Sequence, residues 1–430
     1  MSQSQSQICI LGGGFGGLYT ALELNRYRWQ TRPQITLVER KDHFLFTPLL
    51  YELVTGELQT WHIAPHFAKL LAGTDIHLEQ GTVESVDLDM RRVILSGGKV
   101  LSYDRLVIGI GKETLLDVVP GAAGNALPFR SLADVNRLKE QLRLLELSDL
   151  SQIRVAVVGA GPNGVELACK IADRLKERGR LLLINRGDKI LKNFAGSSQK
   201  AALKALRRRR VQLELSTTVE SVDSDSITLV HQDQRRTHPV DLVLWTIGTR
   251  VADWVPNITN IQNEKGEFLV LPTLQLIKHP EVFALGDIAA SNDSEHWAPA
   301  TAQAAFQQAK IAAQNIRASL TGRTLRAFRY WHIGEMITLG INASAISSFG
   351  INLSGPVAGV IRQWVYLLRM PTFRHRFQVA CDWLSQMPSG VAVKLWQGLA
   401  GLFRRNATHK RRSHSQNPDV GESSRRTHRK

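Results

Sequence analysis

Cysteine is scarce in this sequence. Its 430 residues include three cysteines, Cys9, Cys169 and Cys381, which lie far apart and form no Cys-x-x-Cys pair. This spacing excludes a dithiol redox centre of the usual kind and a cysteine-rich metal site, so no bound metal is expected. Few cysteines are also typical of proteins from reducing compartments.

Long apolar runs are missing as well. No uninterrupted apolar stretch reaches the ~18 residues that a membrane-spanning helix needs. The N-terminus is short and polar, without a basic segment followed by an apolar one, so no signal peptide is predicted. The fairly apolar stretch 337–361 is interrupted by Asn342, Asn352 and Pro356, which favours core strands and turns.

Acidic residues are outnumbered by basic ones, and the net charge is +16. Such a charge favours anionic partners, namely nucleic acid, dinucleotides or acidic membrane surfaces. The segment 404–430 alone carries nine lysines and arginines but two acids, and it has no aromatic residue. We therefore expect a disordered basic tail over 405–430 and no folded module for nucleic acid.

Glycine is concentrated in a turn near the N-terminus. An apolar strand at 8–11 leads into GGGFGG at 12–17, an apolar-periodic helix follows, and a second strand at 35–38 ends at Glu39. This strand–helix–strand unit of about 30 residues has the size of a dinucleotide-binding βαβ unit.

Each part of this unit has a physical role in binding a dinucleotide. Gly12 permits the tight turn, Gly14 lets the backbone approach a pyrophosphate, and Gly17 lets the helix pack closely on the strand. The helix N-terminus offers free N–H donors to the phosphates. The carboxylate of Glu39 can accept both ribose hydroxyls.

The unit recurs later in the chain. A strand at 154–158 leads into GAGPNG at 159–164, with Gly159, Gly161 and Gly164 spaced as in the first turn. A helix at 165–176 and a strand at 181–184 complete it. Two such units predict two nucleotide sites and an electron relay from a nicotinamide to a flavin.

The second unit lacks the acid. Asn185 stands where the first unit has Glu39, and Arg186 follows it. Without the carboxylate a 2′-phosphate is no longer repelled, and a guanidinium can pair with it, which favours NADPH over NADH as the donor. The competing interpretation is that Arg186 is a solvated surface charge.

The rest of the chain alternates strands and helices as far as about residue 286, which predicts doubly wound parallel α/β sheets of Rossmann type. A capping box at Ser131 starts a helix that ends near Leu147. Further segments are predicted as strands at 83–95, 106–110, 211–215, 226–230, 241–247 and 328–360, and as helices at 298–316, 362–368 and 377–387. The predicted domains are an FAD-binding domain (1–112 and 255–322), an NAD(P)H-binding domain (113–254) and a small C-terminal region (323–404).

Four motifs together give a resemblance to a known family. They are FTPLLYE at 46–52, GAGPNG at 159–164 followed by Glu166, VFALGD at 282–287, and PATAQAAFQ at 299–307. Over roughly 7–384 the chain resembles the type II NAD(P)H:quinone oxidoreductases of the two-dinucleotide flavoprotein superfamily. Within that family it is most similar to the cyanobacterial and plastid branch, some members of which reduce demethylphylloquinone in phylloquinone (vitamin K1) synthesis.

The resemblance implies roles for several residues. Asp287 would hold the flavin, Glu166 would orient the dinucleotide or pass protons, and Gln303 and Gln307 would line the quinone site. From the residues alone, Glu166 is equally a first-turn helix acid, and the two glutamines a solvated helix face. Further cofactor contacts are expected at Phe15, Gly16, Arg40, Val83, Gly248, Gly286 and Ala302.

Related scaffolds serve other reactions. Sulfide:quinone reductases and disulfide reductases need suitably placed redox cysteines, whereas Cys9 falls in a strand and Cys169 in a helix. The expected reaction is therefore two-electron transfer from NAD(P)H through non-covalent FAD to a membrane quinone, without proton pumping. A respiratory NADH dehydrogenase that reduces plastoquinone, ubiquinone or menaquinone stays an alternative, as does a flavin-based redox sensor or scaffold.

A quinone of this kind resides in the bilayer, so we expect peripheral attachment to a membrane. The segment 391–403 has an apolar arc rimmed by aromatic residues, which favours an interfacial helix, and the basic tail would add attraction to anionic lipid. Packing on its own domain or on a homodimer partner is the competing interpretation. The expected location is the cytoplasmic side of a thylakoid or plasma membrane.

Overall fold

The computed structural model describes residues 5–258, 262–291 and 298–386. The chain divides into two compact units, Met1–His375 and Arg376–Lys430. The predicted helix at 391–403 and the predicted basic tail lie outside the described residues.

The elements follow in chain order. The α-helices are α1 Phe15–Arg26, α2 Thr60–Ile63, α3 Phe67–Leu70, α4 Ala122–Asn125, α5 Leu132–Leu147, α6 Pro162–Leu175, α7 Gly196–Arg208, α8 Ala302–Leu320, α9 Pro356–Arg369 and α10 Phe373–Ser385. The strands are β1 Gln7–Leu11, β2 Gln34–Glu39, β3 Ile76–Gln80, β4 Val83–Asp87, β5 Arg92–Leu95, β6 Val100–Ser102, β7 Arg105–Ile108, β8 Glu113–Thr114, β9 Ala126–Pro128, β10 Ile153–Val158, β11 Gly179–Asn185, β12 Gln212–Leu215, β13 Thr218–Val222, β14 Ser226–His231, β15 Gln234–Pro239, β16 Leu242–Trp245, β17 Thr249–Arg250, β18 Phe268–Leu269, β19 Val282–Ala284, β20 Ala289–Ala290, β21 Glu335–Thr338, β22 Ser344–Ser348 and β23 Ile351–Gly355. Short 3₁₀ helices span Thr47–Leu53, Lys176–Arg178, Val255–Asn257 and Gly286–Ile288.

Two parallel sheets form the framework, each built around the first strand of a glycine unit. The first has the order β19-β7-β1-β2-β3 and the second the order β12-β11-β10-β16-β9. All pairings within both sheets are parallel. In each sheet the glycine turn leaves the carboxyl end of a central strand, the edge where open α/β sheets bind ligands.

Each parallel sheet is covered on one face by an antiparallel three-stranded sheet. One buried cluster joins the first parallel sheet to β4–β5–β6 through residues such as Leu11, Val93 and Leu106. A second cluster joins the other parallel sheet to β13–β14–β15 through Ala156 and Ile227, among others. Central strands buried on both faces explain why 8–11 and 155–158 are continuous apolar runs.

The C-terminal part of the first unit differs from its prediction. The stretch 328–360 was predicted as strand-like, but it holds the antiparallel strands β21, β22 and β23 followed by the start of α9. Pro356 explains the difference, because it is the first residue of α9 and proline favours that position. Gly355 precedes it with a φ of +94°, a conformation that glycine adopts readily.

One predicted helix and one predicted strand have other boundaries than expected. The helix predicted at 298–316 begins at Ala302, because the hydroxyl of Thr301 caps it by accepting from the Ala304 N–H at 3.2 Å. The strand predicted at 83–95 is a hairpin of β4 and β5. The capping box at Ser131 is confirmed, since its hydroxyl accepts from the Asp134 N–H and the Asp134 carboxylate accepts in return.

Candidate functional site

The first glycine turn has the geometry that its sequence predicts. The Gly12 N–H donates to the Val38 carbonyl at 2.8 Å, so the turn is closed against β2. A Cβ on Gly17 would lie 1.9 Å from the Gly12 carbonyl oxygen, whereas one on Gly14 would meet no atom within 4 Å. The helix thus packs tightly on the turn at Gly17, and the space beside Gly14 is open for a pyrophosphate.

Glu39 is held under this turn by the backbone. Its carboxylate accepts from the Gly13 N–H at 2.6 Å and from the Lys41 N–H at 3.1 Å. Arg40 points to another partner, since its guanidinium pairs with Glu113 at 2.7 Å on the surface. The placement of Glu39 fits the predicted ribose acid, while the contact of Arg40 is with protein.

The second predicted FAD motif lies beside the first turn. A Cβ on Gly16 would approach the Leu285 side chain to 2.5 Å, so the chain before Gly286 packs against α1. The Gly286 N–H donates to the side chain of Gln308 at 2.7 Å. Asp287 pairs with Arg130 at 3.0 Å, a partner that the sequence analysis did not single out.

The two remaining positions of the first nucleotide site belong to its framework. Val83 begins β4 and packs partly buried on the cluster that joins β4–β5–β6 to the first parallel sheet. Ala302 is the first residue of α8, where backbone N–H groups are free. Both lie on elements that meet this sheet.

The second glycine turn repeats the first. The Gly159 N–H donates to the Ile184 carbonyl at 2.8 Å, and Gly159 has a φ of +106°. A Cβ on Gly164 would lie 1.7 Å from the Gly159 carbonyl oxygen, and one on Gly161 would meet no atom within 4 Å. The open space again lies at the middle glycine.

Asn185 occupies the place of Glu39 at the second turn. Its side-chain oxygen accepts from the Ala160 N–H at 3.3 Å, and its NH₂ donates to the Gly187 and Lys189 carbonyls at 3.1 and 3.0 Å. Arg186 is exposed and has no ion pair within the described part of the chain. Gly248, with a φ of +74°, accepts from the Leu115 N–H where β17 pairs with β8.

Glu166 lies in α6 directly after the second turn and is buried. It accepts from the Thr338 N–H at 2.9 Å and lies 3.7 Å from the Arg362 guanidinium. Burial is the largest influence on its carboxyl group and raises the pKa to about 7, although Arg362 and Thr338 lower it. A carboxyl group with such a pKa can gain and lose a proton near neutral pH.

Four more charged side chains surround Glu166, and the sequence analysis assigned none of them a role. Arg362 of α9 contacts Glu52 at 2.5 Å and the Pro48 carbonyl at 2.7 Å. Lys170 pairs with Glu57 and lies 3.9 Å from Glu52. A lysine one turn after Glu166, in a helix that is otherwise almost wholly apolar there, was the sequence signal for this cluster.

The two predicted quinone-site glutamines both bind the loop that follows α8. Gln303 donates to the Tyr330 hydroxyl at 3.1 Å. Gln307 donates to the Trp331 carbonyl at 2.9 Å and accepts from its N–H at 3.0 Å. Their amides are thus held in place by protein, which corrects the interpretation of a freely solvated helix face.

An aromatic group connects the first glycine turn with α9. The ring of Phe15 packs edge-on against Phe44 and Phe46 at 5.3 and 5.2 Å, and Phe46 packs against Tyr366 at 5.6 Å. Phe15 also stacks on Tyr19 at 5.8 Å. Planar rings of this kind suit contact with planar cofactors and substrates.

Two parallel sheets, each with a glycine turn whose middle glycine faces open space, define a two-dinucleotide-binding oxidoreductase. The family described as pyridine nucleotide-disulphide oxidoreductase matches residues 6–309. A demethylphylloquinone reductase of Synechocystis sp. is 44% identical over 92% of this chain and 99% of its own length. An alternative NAD(P)H-ubiquinone oxidoreductase C1 of Arabidopsis thaliana is 39% identical over 88% of this chain and 80% of its own length.

Solved structures agree in fold. The structure of NDH2 from Plasmodium falciparum in complex with NADH has a TM-score of 0.78 at 17% identity, covering 88% of this chain and 97% of that one. The chain therefore belongs to the type II NAD(P)H:quinone oxidoreductases, a branch of the pyridine nucleotide-disulphide oxidoreductase family, as its motifs predicted.

Proposed function

We propose that this protein reduces a membrane naphthoquinone of the demethylphylloquinone type, with NADPH as the electron donor and non-covalently bound FAD as the relay. The quinone is inferred from the demethylphylloquinone reductase that is 44% identical over nearly the whole chain. This reaction would belong to phylloquinone synthesis. The nicotinamide is inferred from the second glycine turn, which is the observation that carries the proposal.

The first turn fits FAD. Its open space beside Gly14 would receive the pyrophosphate, Glu39 would bind the ribose, and Asp287 would lie at the ribitol end. Phe15 would contact the cofactor, supported from behind by the buried rings of Phe44 and Phe46. When bound, the flavin supplies two-electron chemistry between a nicotinamide and a quinone.

The second turn favours NADPH. Asn185 keeps the contact to the turn that Glu39 makes in the first unit, yet it brings no negative charge. Arg186 has no ion pair in the described part of the chain, so its guanidinium is free to bind a 2′-phosphate. Gly248 lies at the carboxyl end of the same sheet and would approach the bound dinucleotide.

Glu166 would handle protons at the meeting point of nicotinamide, flavin and quinone. Its raised pKa of about 7 suits a group that donates a proton at neutral pH. Gln303 and Gln307 would act on the quinone indirectly, by fixing the Tyr330–Trp331 loop, or directly after releasing it, because an amide can both donate to and accept from a quinone oxygen.

Peripheral membrane attachment is supported by α9. Its residues Val357, Val360, Ile361 and Leu368 fall on one helix face, and all of them are exposed. The opposite face, with Arg362, is buried. Exposed apolar faces of this kind mark a membrane or a partner subunit. Among the described residues, no helix is long and apolar enough to cross a membrane. We place the enzyme on the cytoplasmic side of a thylakoid or plasma membrane.

A cofactor-and-quinone assay tests this proposal. Purified protein with its flavin would be reacted with NADPH and with NADH, each against demethylphylloquinone and a plastoquinone analogue. We expect the highest kcat/KM with NADPH and demethylphylloquinone. Faster turnover with NADH and plastoquinone would instead indicate a respiratory NADH dehydrogenase. A flavin that NADPH bleaches and that no quinone reoxidises rapidly would indicate a redox sensor instead.

A further inference from the structure

The face of α6 that carries Glu166 holds two more charged residues. Glu166, Lys170 and Asp173 follow one another at helical spacing, so they share this face. The turn between β21 and β22 lies on it, because the Thr338 and Ile341 N–H groups donate to Glu166 and Asp173. The backbone at this turn thus covers the Glu166 carboxylate on one side.

Lys170 is the unusual member of this row. Its side chain is 1% exposed, which is rare for lysine. Its ammonium group pairs with Glu57 on one side and lies 3.9 Å from Glu52 on the other. Replacing such a buried pair by apolar residues is often neutral or stabilising, so stability alone gives little reason to bury this lysine.

Glu57 connects Lys170 to solvent. Its side chain is 19% exposed, and it also accepts from the Asn342 N–H at 3.0 Å. On the inner side, one oxygen of Glu52 is buried without a hydrogen-bond partner among the described residues. Glu52 and Glu166 both contact the Arg362 guanidinium, at 2.5 and 3.7 Å. The contacts therefore run from Glu57 at the surface to Lys170, then to Glu52, and through the shared Arg362 to Glu166.

Quinone reduction needs such a connection. NAD(P)H, one proton and a quinone give NAD(P)⁺ and a quinol, so the hydride brings two electrons and one of the two protons. The other proton has to enter from solvent, and it is needed only when the quinone is reduced. With a nicotinamide and a quinone in place, the direct approach to Glu166 would be covered.

We propose that Glu57 and Lys170 form a proton-entry branch that recharges Glu166 from the surface beside the β21–β22 turn. This inference rests on the proposed role of Glu166 as the proton donor to the quinone. Glu52 takes a proton from the Lys170 ammonium group and passes it to Glu166. Glu57, protonated from solvent, supplies the replacing proton to Lys170 in the same transfer, so no proton is lost from Lys170 overall.

The charges around Glu166 favour the last transfer in this direction. Burial opposes the charge of Glu52, but Arg362 and Lys170 outweigh it and hold the pKa of Glu52 below its usual value, while burial raises the pKa of Glu166, so a proton on Glu52 moves on to Glu166. Arg362 itself keeps its charge and serves as a fixed positioning residue. The titratable groups that face Glu166 are Tyr51 and Glu52 from the Thr47–Leu53 segment, Cys169 and Lys170 from α6, and Arg362 and Tyr366 from α9.

The competing explanation is that Glu57 only anchors the β21–β22 turn, and the chain offers a matched control for it. Asp173 accepts from the neighbouring N–H of the same turn, that of Ile341 at 2.7 Å, and it also pairs with a partly buried cation, Arg209. Its side chain is 20% exposed, against 19% for Glu57. Asp173 makes no contact with Lys170 or Glu52 among the described ion pairs.

The test compares E57Q with D173N in the flavin-loaded enzyme by stopped-flow absorbance. In E57Q we expect the bleaching by NADPH to keep its wild-type rate and the reoxidation by quinone to slow about tenfold. This loss should grow with rising pH, the solvent deuterium effect on reoxidation should increase, and imidazole or formate should restore the rate. D173N should show none of these four changes.

A second variant, K170M, should reproduce the E57Q result, with its melting temperature measured to identify unfolding. Equal behaviour of E57Q and D173N in reoxidation, pH dependence and deuterium effect would overturn the branch. A wild-type enzyme that reduces no quinone would instead overturn the proposed function, so the two failures are distinguishable.

Discussion

The two glycine turns have nearly the same shape but differ in charge. In both, the middle glycine faces open space and the last one touches the first. In both, a side-chain oxygen from the end of the second strand accepts an N–H of the turn, from Glu39 in one and from Asn185 in the other. The fold needs only an oxygen there, so the choice of acid or amide is free to select the ligand.

The same contrast continues along each unit. Arg40 and Arg186 follow these residues at equivalent positions, but Arg40 is neutralised by Glu113 and Arg186 is unpaired in the described part of the chain. Two residues after the last glycine, the first unit has Tyr19 and the second has Glu166. One helix thus contributes an aromatic ring at that position and the other an acid whose pKa is near 7.

The largest effect should come from substituting the middle glycine of one turn at a time, which fills the open space beside it. Gly14→Ala and Gly161→Ala each add a methyl group that meets no protein atom within 4 Å, so both variants should fold normally. We expect G14A to be isolated without flavin and to be inactive. G161A should keep its yellow flavin but should not be bleached by micromolar NADPH. Absorbance spectra of the purified variants distinguish these results, and flavin loss from G161A alone would reverse the assignment of the two turns.

The second effect concerns the acid that has no counterpart in the first unit. Glu166→Gln should lower quinone reduction by roughly a hundredfold, the size of a lost proton donor. Wild-type activity should fall as the pH rises above about 7, the value to which burial raises the Glu166 pKa, and E166Q should lose this step. A pH profile of kcat is the measurement, and an unchanged profile in E166Q would remove Glu166 from the proton chemistry.

The same substitution has an opposite effect on stability. The Glu166 pKa is raised from 4.5 to about 7 in the fold, so its proton-linked stability is full in acid and is lost as the pH rises through about 7. This loss amounts to ~3 kcal/mol at most. Glutamine cannot ionise, so E166Q does not lose this stability. The urea midpoint of E166Q minus that of the wild type should therefore be larger at pH 8 than at pH 5.

A smaller effect should follow from removing the unpaired guanidinium. Arg186→Ala should raise the KM for NADPH roughly tenfold, as expected for one charge-assisted hydrogen bond, and should leave the KM for NADH unchanged. Arg40→Ala is the matched control at the equivalent position of the first unit, where Glu113 already holds the arginine. If both variants affect NADPH equally, general surface charge and not a 2′-phosphate contact explains the preference.

The sequence predicted the geometry of the two turns far better than the cluster around Glu166. Glycine spacing reports backbone geometry directly, because Gly17 and Gly164 leave no room for a Cβ. Glu52, Lys170 and Arg362 come from three distant segments, and no local pattern links them. Only Lys170 carried a signal, as a charge within the apolar stretch 167–172 of α6. The start of α9 was mispredicted because Pro356, the first residue of the helix, was interpreted as an interruption of an apolar stretch.

The comparison of the turns also separates two routes of entry. Under the proposed function the dinucleotides reach both turns from water, whereas the quinone comes from a bilayer, and the exposed face of α9 is one described surface suited to meet it. Val360→Ser with Leu368→Ser should reduce binding to anionic vesicles several-fold and leave the rate with a water-soluble quinone analogue unchanged. Val100→Ser is a control of similar exposure, 50% against 45% for Val360, at the start of β6 in the antiparallel β4–β5–β6 sheet. The effect should be partial, because the 404–430 segment would keep its attraction to anionic lipid. If the double variant still floats with the vesicles as the wild type does, but has a smaller molecular mass in solution, this face contacts a partner subunit instead.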